Sequence, residues 1–154
     1  MKKYLQKKLN NEKGMTLIEL LAVIVIIAII AAIAIPAIGN IIDNSRVGAA
    51  KSDALNAISA AELYLADNPT KPSVQLSDLV STAGNAYLDD PGTLKSFVYT
   101  VATKTVVAQA EPSGIVVKFG DGTAGGVTKA AIAALPTNTA GAAAAPSLGI
   151  TVTR

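Results

Sequence analysis

An apolar run from Leu20 to Ile35, without one polar side chain, constrains this chain more than any other feature. Extended upstream to Met15, the run reaches the length of roughly 17–25 residues that an α-helix needs to cross a bilayer. It then includes the carboxylate of Glu19. An acid near the middle of a membrane helix costs on the order of 2.5–3.5 kcal/mol, and less near an end. Glu19 is therefore a candidate functional residue.

The charges divide the chain into a basic N-terminal segment and a nearly neutral body. Residues 1–14 contain five lysines and one glutamate, a net charge of +4, whereas the rest of the chain carries a net charge of −2. Lysines that precede an apolar helix favour a cytoplasmic N-terminus. We therefore expect residues 1–14 to lie in the cytoplasm and the body to lie outside. Such a body is not typical of a nucleic-acid-binding protein.

The sequence contains no cysteine and no histidine. Disulfides, metal sites built on thiolate or imidazole, and Ser-His or Cys-His catalysis are thereby excluded. Asp89 and Asp90 are adjacent acids in a turn, where carboxylates are usually solvated rather than bound to calcium. We expect no catalytic residue, no bound metal and no cofactor, and hence no enzyme.

Two processing sites are compatible with this N-terminal segment. A conventional signal peptidase would cut after Ala34 or Ala37, where small residues follow the apolar run, and would remove that run. Cleavage between Gly14 and Met15 would instead leave the run at the start of the mature chain.

A family resemblance rests on residues 14–21, G-M-T-L-I-E-L-L, followed by the apolar run and Pro36. This block resembles the class III leader and N-terminal helix of type IV pilins and pseudopilins. The resemblance implies that a prepilin peptidase cleaves after Gly14 and methylates the amine of Met15. Glu19 takes the place of the family's acid at the fifth mature residue. Met15 departs from the phenylalanine that is commoner at the first mature position.

The resemblance also implies a function and partners. We expect the major pilin of a type IV pilus, a homopolymer used for motility, adhesion or DNA uptake. Its other partners would be the prepilin peptidase, the assembly platform, minor pilins and, before assembly, the plasma (inner) membrane. The alternative is a pseudopilin of a type II secretion or competence apparatus. A third hypothesis is an exported enzyme or binding domain with a conventional signal peptide.

Two interpretations of Glu19 remain open. In the first, the amine of Met15 on a staggered neighbour pairs with Glu19, and the pair selects the register of the helices more than it adds affinity. In the second, Glu19 is an interfacial acid at the level of the lipid headgroups.

Pro36 and Gly39 are predicted to disrupt the helix locally, because proline removes a backbone donor and glycine weakens a helix. The disruption is either a harmless kink in one long helix or a local unfolding point that helps subunits pack or a filament stretch.

Four segments follow from these features: a leader at 1–14, a hydrophobic membrane or filament-core helix at 15–36, an amphipathic half at 37–67 and a head domain at 68–154. The helix would run about 50 residues, or roughly 75 Å, and Asp67-Asn68-Pro69 would stop it. Apolar residues recur at three-to-four spacing along the amphipathic half: Ile38, Ile41, Ile42, Ala49, Ala54, Leu55, Ile58, Ala61 and Leu65. The first part of this half is expected to emerge from the membrane, and the second part is expected to lie against the head.

The head is predicted to be a small antiparallel sheet of about three to four strands, which makes the fold class α+β. Residues 96–101 alternate, with Phe97 and Tyr99 on one face. Thr105–Gln109 and Ile115–Phe119 are the next two strands, and residues 148–152 suggest a closing strand. Val127–Leu135 is predicted to be a short helix that Thr128 caps.

Overall fold

The computed structural model describes residues 16–80, 86–120, 125–137 and 150–153. The chain divides into two compact units, residues 1–39 and 40–154. The fold class is confirmed, because a long N-terminal helix is followed by a small antiparallel sheet.

The long helix, α1, is Leu17–Asp67, 51 residues, which agrees with the predicted length. It ends where the sequence indicates. The N–H of Asn68 donates to the carbonyl of Tyr64 over 3.0 Å, and Pro69 follows, which cannot continue the ladder.

The packed face of α1 lies mainly in the second part of the amphipathic half, as expected. Ile38, Ile41 and Ile42 are 53%, 66% and 45% exposed, and Ala49 is exposed as well. The buried residues of α1 are Val47, Ala50, Ala54, Ala57, Ile58, Ala60 and Ala61. The expectation that the second part of this half lies against the head agrees with the burial of Ala54, Ile58 and Ala61. A helical period shows which residues share a face, but not where along the helix a packing partner begins.

The sheet contains six described strands, two more than the largest number expected. They are β1 (Ser73–Gln75), β2 (Leu94–Thr100), β3 (Thr105–Ala110), β4 (Val116–Phe119), β5 (Val127–Thr128) and β6 (Ile150–Thr153). Their order is β1-β2-β3-β4-β6, and β5 pairs with β3. All pairs are antiparallel. Between β1 and β2 lies a one-turn helix, α2 (Leu76–Leu79).

The core lies between the inner face of this sheet and the alanine-rich second half of α1. Phe97 and Tyr99 of β2 are buried, as the alternation predicts, together with Val106 of β3 and Phe119 of β4. The described residues include no buried polar or charged residue. Alanines line much of the helix side of this core.

The strands β4 and β5 both pair with β3, at different positions along it. Beside β5, the backbone of Gly126 comes close to that of β3. Val127 pairs with Val106, whereas Phe119 pairs with Ala108. At Gly126, a Cβ atom would lie 2.8 Å from the carbonyl oxygen of Val106. Real Cβ atoms do not come this close, so only glycine fits there.

The predicted helix at residues 127–135 is shorter in the structure. The helix α3 is Lys129–Ala134, and Thr128 is its N-cap, accepting the N–H of Ala131 over 3.2 Å. The N-cap prediction is thus confirmed. The first two residues of the predicted helix form β5 instead, because their backbone groups pair with β3.

Polar contacts join α1 to the loops of the head. The carboxylate of Asp53 accepts two hydrogen bonds from Thr93, one from its N–H and one from its hydroxyl, both over 2.7 Å. Lys51 donates to the carbonyl of Leu135 over 2.8 Å. These contacts hold the second half of α1 against the head.

Candidate functional site

The first half of α1 exposes a continuous apolar surface. Its large side chains from Leu17 to Ile42 are between 45% and 87% exposed. These residues are Leu17, Ile18, Leu20, Leu21, Val23, Ile24, Val25, Ile26, Ile27, Ile29, Ile30, Ile33, Ile35, Ile38, Ile41 and Ile42. A surface of this size is not stable in water and indicates contact with a membrane or with another protein.

Length and composition allow this segment to cross a membrane. Among the residues that the structure describes, α1 is both long enough and apolar enough to do so. None of its most apolar stretch is buried. The apolar surface continues past Pro36 to Ile42, and the first charged side chain after it is Asp43. Asp43 accepts a hydrogen bond from Arg46 over 3.3 Å, so an ion pair follows the apolar surface.

Glu19 lies in the first turn of α1, where it forms a capping box with Thr16. The N–H and the hydroxyl of Thr16 donate to Oε2 of Glu19 over 2.8 and 3.0 Å. In return, the hydroxyl of Thr16 accepts the N–H of Glu19 over 3.3 Å. Each residue thus satisfies a polar group of the other, which is the reciprocal pattern of a T-x-x-E start.

Sequence reasoning missed the role of Thr16, although the signal was present. Thr16 and Glu19 stand three residues apart just before an apolar run, which is the spacing of a capping box. In the single chain, therefore, the Glu19 carboxylate has partners within its own helix. Gly14 and Met15, the predicted cleavage and methylation residues, lie outside the described residues.

Pro36 and Gly39 lie inside α1, which continues through both residues. A Cβ atom at Gly39 would meet nothing within 4 Å. Gly39 is therefore not required by packing within the chain. The local unfolding that these residues were predicted to promote in a filament stays a prediction.

The adjacent acids Asp89 and Asp90 lie in a turn. Oδ1 of Asp90 accepts the N–H of Gly92 over 2.8 Å, which is a local side-chain to backbone bond of a kind common in turns. Within the described ranges, no group of three or more acidic residues is placed to hold a metal ion.

Comparison with known protein families supports the interpretation of the N-terminus. Residues 9–35 match the family model described as the prokaryotic N-terminal methylation motif. This motif is the class III prepilin leader, so the predicted resemblance is confirmed. Comparisons with curated proteins and with solved structures find no match.

The motif and the helix together define what the N-terminal part of the chain is. The motif covers the end of the basic segment and the whole apolar run, and the structure places that run on an exposed helix. Both suggest a chain that is anchored in a membrane by its N-terminal helix. The chain carries the prokaryotic N-terminal methylation motif of type IV pilins and pseudopilins, the signal for processing by a prepilin peptidase.

Proposed function

We propose that this chain is the major pilin of a type IV pilus. After cleavage between Gly14 and Met15, its apolar helix would leave the membrane and pack with copies of itself in the core of an extracellular filament. The head domain would form the outer surface of the filament. Motility, adhesion or DNA uptake would be properties of the assembled fibre, and the chain itself would catalyse no reaction.

One observation carries the proposal: the described residues of the methylation motif lie on a helix whose apolar side chains are exposed. Residues 9–35 match the motif, and the apolar side chains from Leu17 to Ile42 are exposed. A lipid anchor alone would need this surface only in the membrane. A helix that is apolar all round also suits the core of a helical bundle.

The same observation fits a pseudopilin, which has the same leader and helix but forms a shorter fibre. The two functions differ in what shearing removes from cells. A pilus yields long fibres under the electron microscope, whereas a pseudopilus of a secretion or competence apparatus does not. A short fibre that extends only when the chain is overproduced would favour the pseudopilin.

N-terminal sequencing and intact mass of the mature chain test the processing step. The proposal expects a chain that begins at a methylated Met15. A mature chain that begins after Ala34 or Ala37 would contradict the proposal, because the helix that packs the fibre would then be lost.

Replacing Glu19 with Ala tests the role of the acid in assembly. We expect the variant to remain in the membrane in normal amount and to form no fibres, since the carboxylate selects the register of neighbouring helices. Glu19→Asp is the matched control that keeps the charge on a shorter side chain. Normal fibres from Glu19→Ala would show that the acid is only interfacial.

A further inference from the structure

Asn40 is an amide in an otherwise apolar surface. It is the one side chain with a hydrogen-bonding group between Leu20 and Ile42. It is exposed, as are Ile38, Ile41 and Ile42 around it. No other group in the part of the chain that the structure describes bonds to it. Placing an amide without a partner in an apolar environment is unfavourable, so Asn40 would need a partner from another chain when this surface is covered by apolar groups.

Pro36 leaves a backbone acceptor without its helical donor in the same stretch of helix. In an α-helix, the carbonyl of each residue accepts the N–H four residues later. Proline has no N–H, so the carbonyl of Ala32 lacks this donor. Ala32 is itself exposed, and its methyl group leaves the carbonyl accessible to a neighbouring helix.

Small residues beside these two groups allow a second helix to come close. Gly39 precedes Asn40, and a Cβ atom there would meet nothing within 4 Å. Ala28 lies one turn before Ala32. Small side chains at such positions let helix backbones approach and form hydrogen bonds between helices in apolar surroundings.

We propose that the Asn40 amide of one copy donates a hydrogen bond to the Ala32 carbonyl of a neighbouring copy. The inference rests on the proposed function, because the partner is a second chain in the fibre. The two groups cannot meet within one helix, since eight residues span about 12 Å. Two parallel copies displaced along their axes by a similar distance bring them together. This contact sets the stagger of the subunits independently of Glu19.

The first test compares two substitutions of Asn40 by the amount of fibre that shearing releases. Asn40→Leu keeps the size of the side chain and removes the donor. We expect it to lower the amount of fibre about threefold or more, the effect of losing one hydrogen bond between helices in apolar surroundings. Asn40→Gln keeps an amide, and we expect it to retain most of the fibre. Immunoblots of the membrane fraction check that each variant is produced equally.

The Pro36→Ala background identifies the acceptor. It restores a helical donor to the Ala32 carbonyl, so adding Asn40→Leu there should cause no further loss of fibre. An equal loss in both backgrounds would overturn the proposed acceptor. No loss from Asn40→Leu in either background would overturn the contact as a whole, and would leave Asn40 as a residue that meets water at the membrane surface.

Cysteine crosslinking provides a measurement that does not depend on fibre yield in the Pro36→Ala background. The chain has no natural cysteine, so one chain with Ala32→Cys and a second with Asn40→Cys can be produced together. Oxidation of sheared fibres should link the two chains, because disulfides form when Cα atoms are about 4.4–6.8 Å apart. The control pair, Ala32→Cys with Ile41→Cys, places the second thiol on another side of the helix and should not link.

The result separates this inference from the proposed function. Fibres of the two cysteine-bearing chains that show no link between positions 32 and 40 would overturn the inference and leave the pilin proposal standing. Failure of the unaltered chain to form any fibre would overturn the pilin proposal itself.

Discussion

Thr16 orients the Glu19 carboxylate within the single chain. Oε2 of Glu19 accepts two hydrogen bonds from Thr16. In the proposed filament, an amine on a neighbouring helix would have to replace or share these bonds.

Substitution of Thr16 tests that orientation. Thr16→Val removes the hydroxyl that caps the helix and leaves a side chain of similar shape. We expect the backbone amide of Glu19 to exchange its hydrogen faster in detergent micelles, because it loses its acceptor. Thr16→Ser keeps the hydroxyl and should protect the amide as well as threonine does. Equal exchange in all three chains would show that the capping box does not form in an apolar environment.

Tyr87 contacts the C-terminal end of α1. Its hydroxyl donates to Oδ2 of Asp67 over 2.7 Å, and its ring stands edge-on to Tyr64, with ring centroids 5.3 Å apart. The hydrogen bond to Asp67, more than burial or nearby charge, raises the pKa of Tyr87 above its ordinary value of 10.0. The neutral hydroxyl is thus the form that the folded chain favours.

This shift predicts an alkaline dependence of stability. A pKa raised on folding stabilises the folded state below about pH 10. That contribution is lost as the pH rises through the raised pKa. Tyr87→Phe should remove this part of the pH dependence and lower stability slightly at neutral pH. Denaturation curves between pH 8 and pH 12 check the dependence, and a difference absorbance titration of the two chains locates the pKa. A Tyr87 that titrates at its ordinary value would contradict the hydrogen bond.

At the scale of single elements, the two halves of α1 differ in burial. Its second half contributes seven buried residues to the core, whereas its first half exposes its apolar side chains up to Ile42. Pro36 and Gly39 lie in the exposed half. Both residues are exposed, and a role for them in a filament stays a prediction.

Gly39→Ala tests whether a filament needs that weak point. Alanine should stabilise the helix by about 0.5–1 kcal/mol, and the added methyl group meets nothing within the chain. We expect slower amide exchange around residue 39 in micelles, and fibres that are fewer or extend less under tension. Pro36→Ala should act in the same direction. Fibres of unchanged yield and extensibility would show that the proline and glycine cause only a harmless kink.

At the scale of the whole molecule, fully buried alanines of α1 form part of the core. Ala50, Ala54, Ala57 and Ala61 are each 0% exposed. They form part of the same core as Phe97 and Phe119. Interiors are close-packed, so a larger side chain at these positions has no space to occupy.

Ala57→Leu should therefore destabilise the head by about 1–3 kcal/mol, the usual effect of overpacking a core. Ala49→Leu is the matched control, since Ala49 lies on the exposed side of the same helix and should leave the free energy of unfolding almost unchanged. Urea denaturation followed by tyrosine fluorescence measures both. Equal stability of the two variants would contradict the packing of α1 against the sheet.

Much of the fold could be predicted because its signals are local. The length of α1, its end before Pro69, the alternation of Phe97 and Tyr99 and the cap at Thr128 each depend on a few neighbouring residues. The strands β1 and β5 could not be predicted in this way. They have three and two residues, too few for a pattern, and they exist because β2 and β3 offer unpaired backbone groups beside them.

By itself, the sequence determined the character of the N-terminal part of this chain. The methylation motif, the uninterrupted apolar run and the absence of histidine and cysteine are chemical facts that no folding changes. Tertiary structure alone decided where the packed part of α1 begins. Ile41 and Ala54 belong to the same apolar pattern, yet only Ala54 is buried. The reason is physical, because burial requires a partner surface, and the position of the sheet along the helix depends on contacts between residues far apart in the chain.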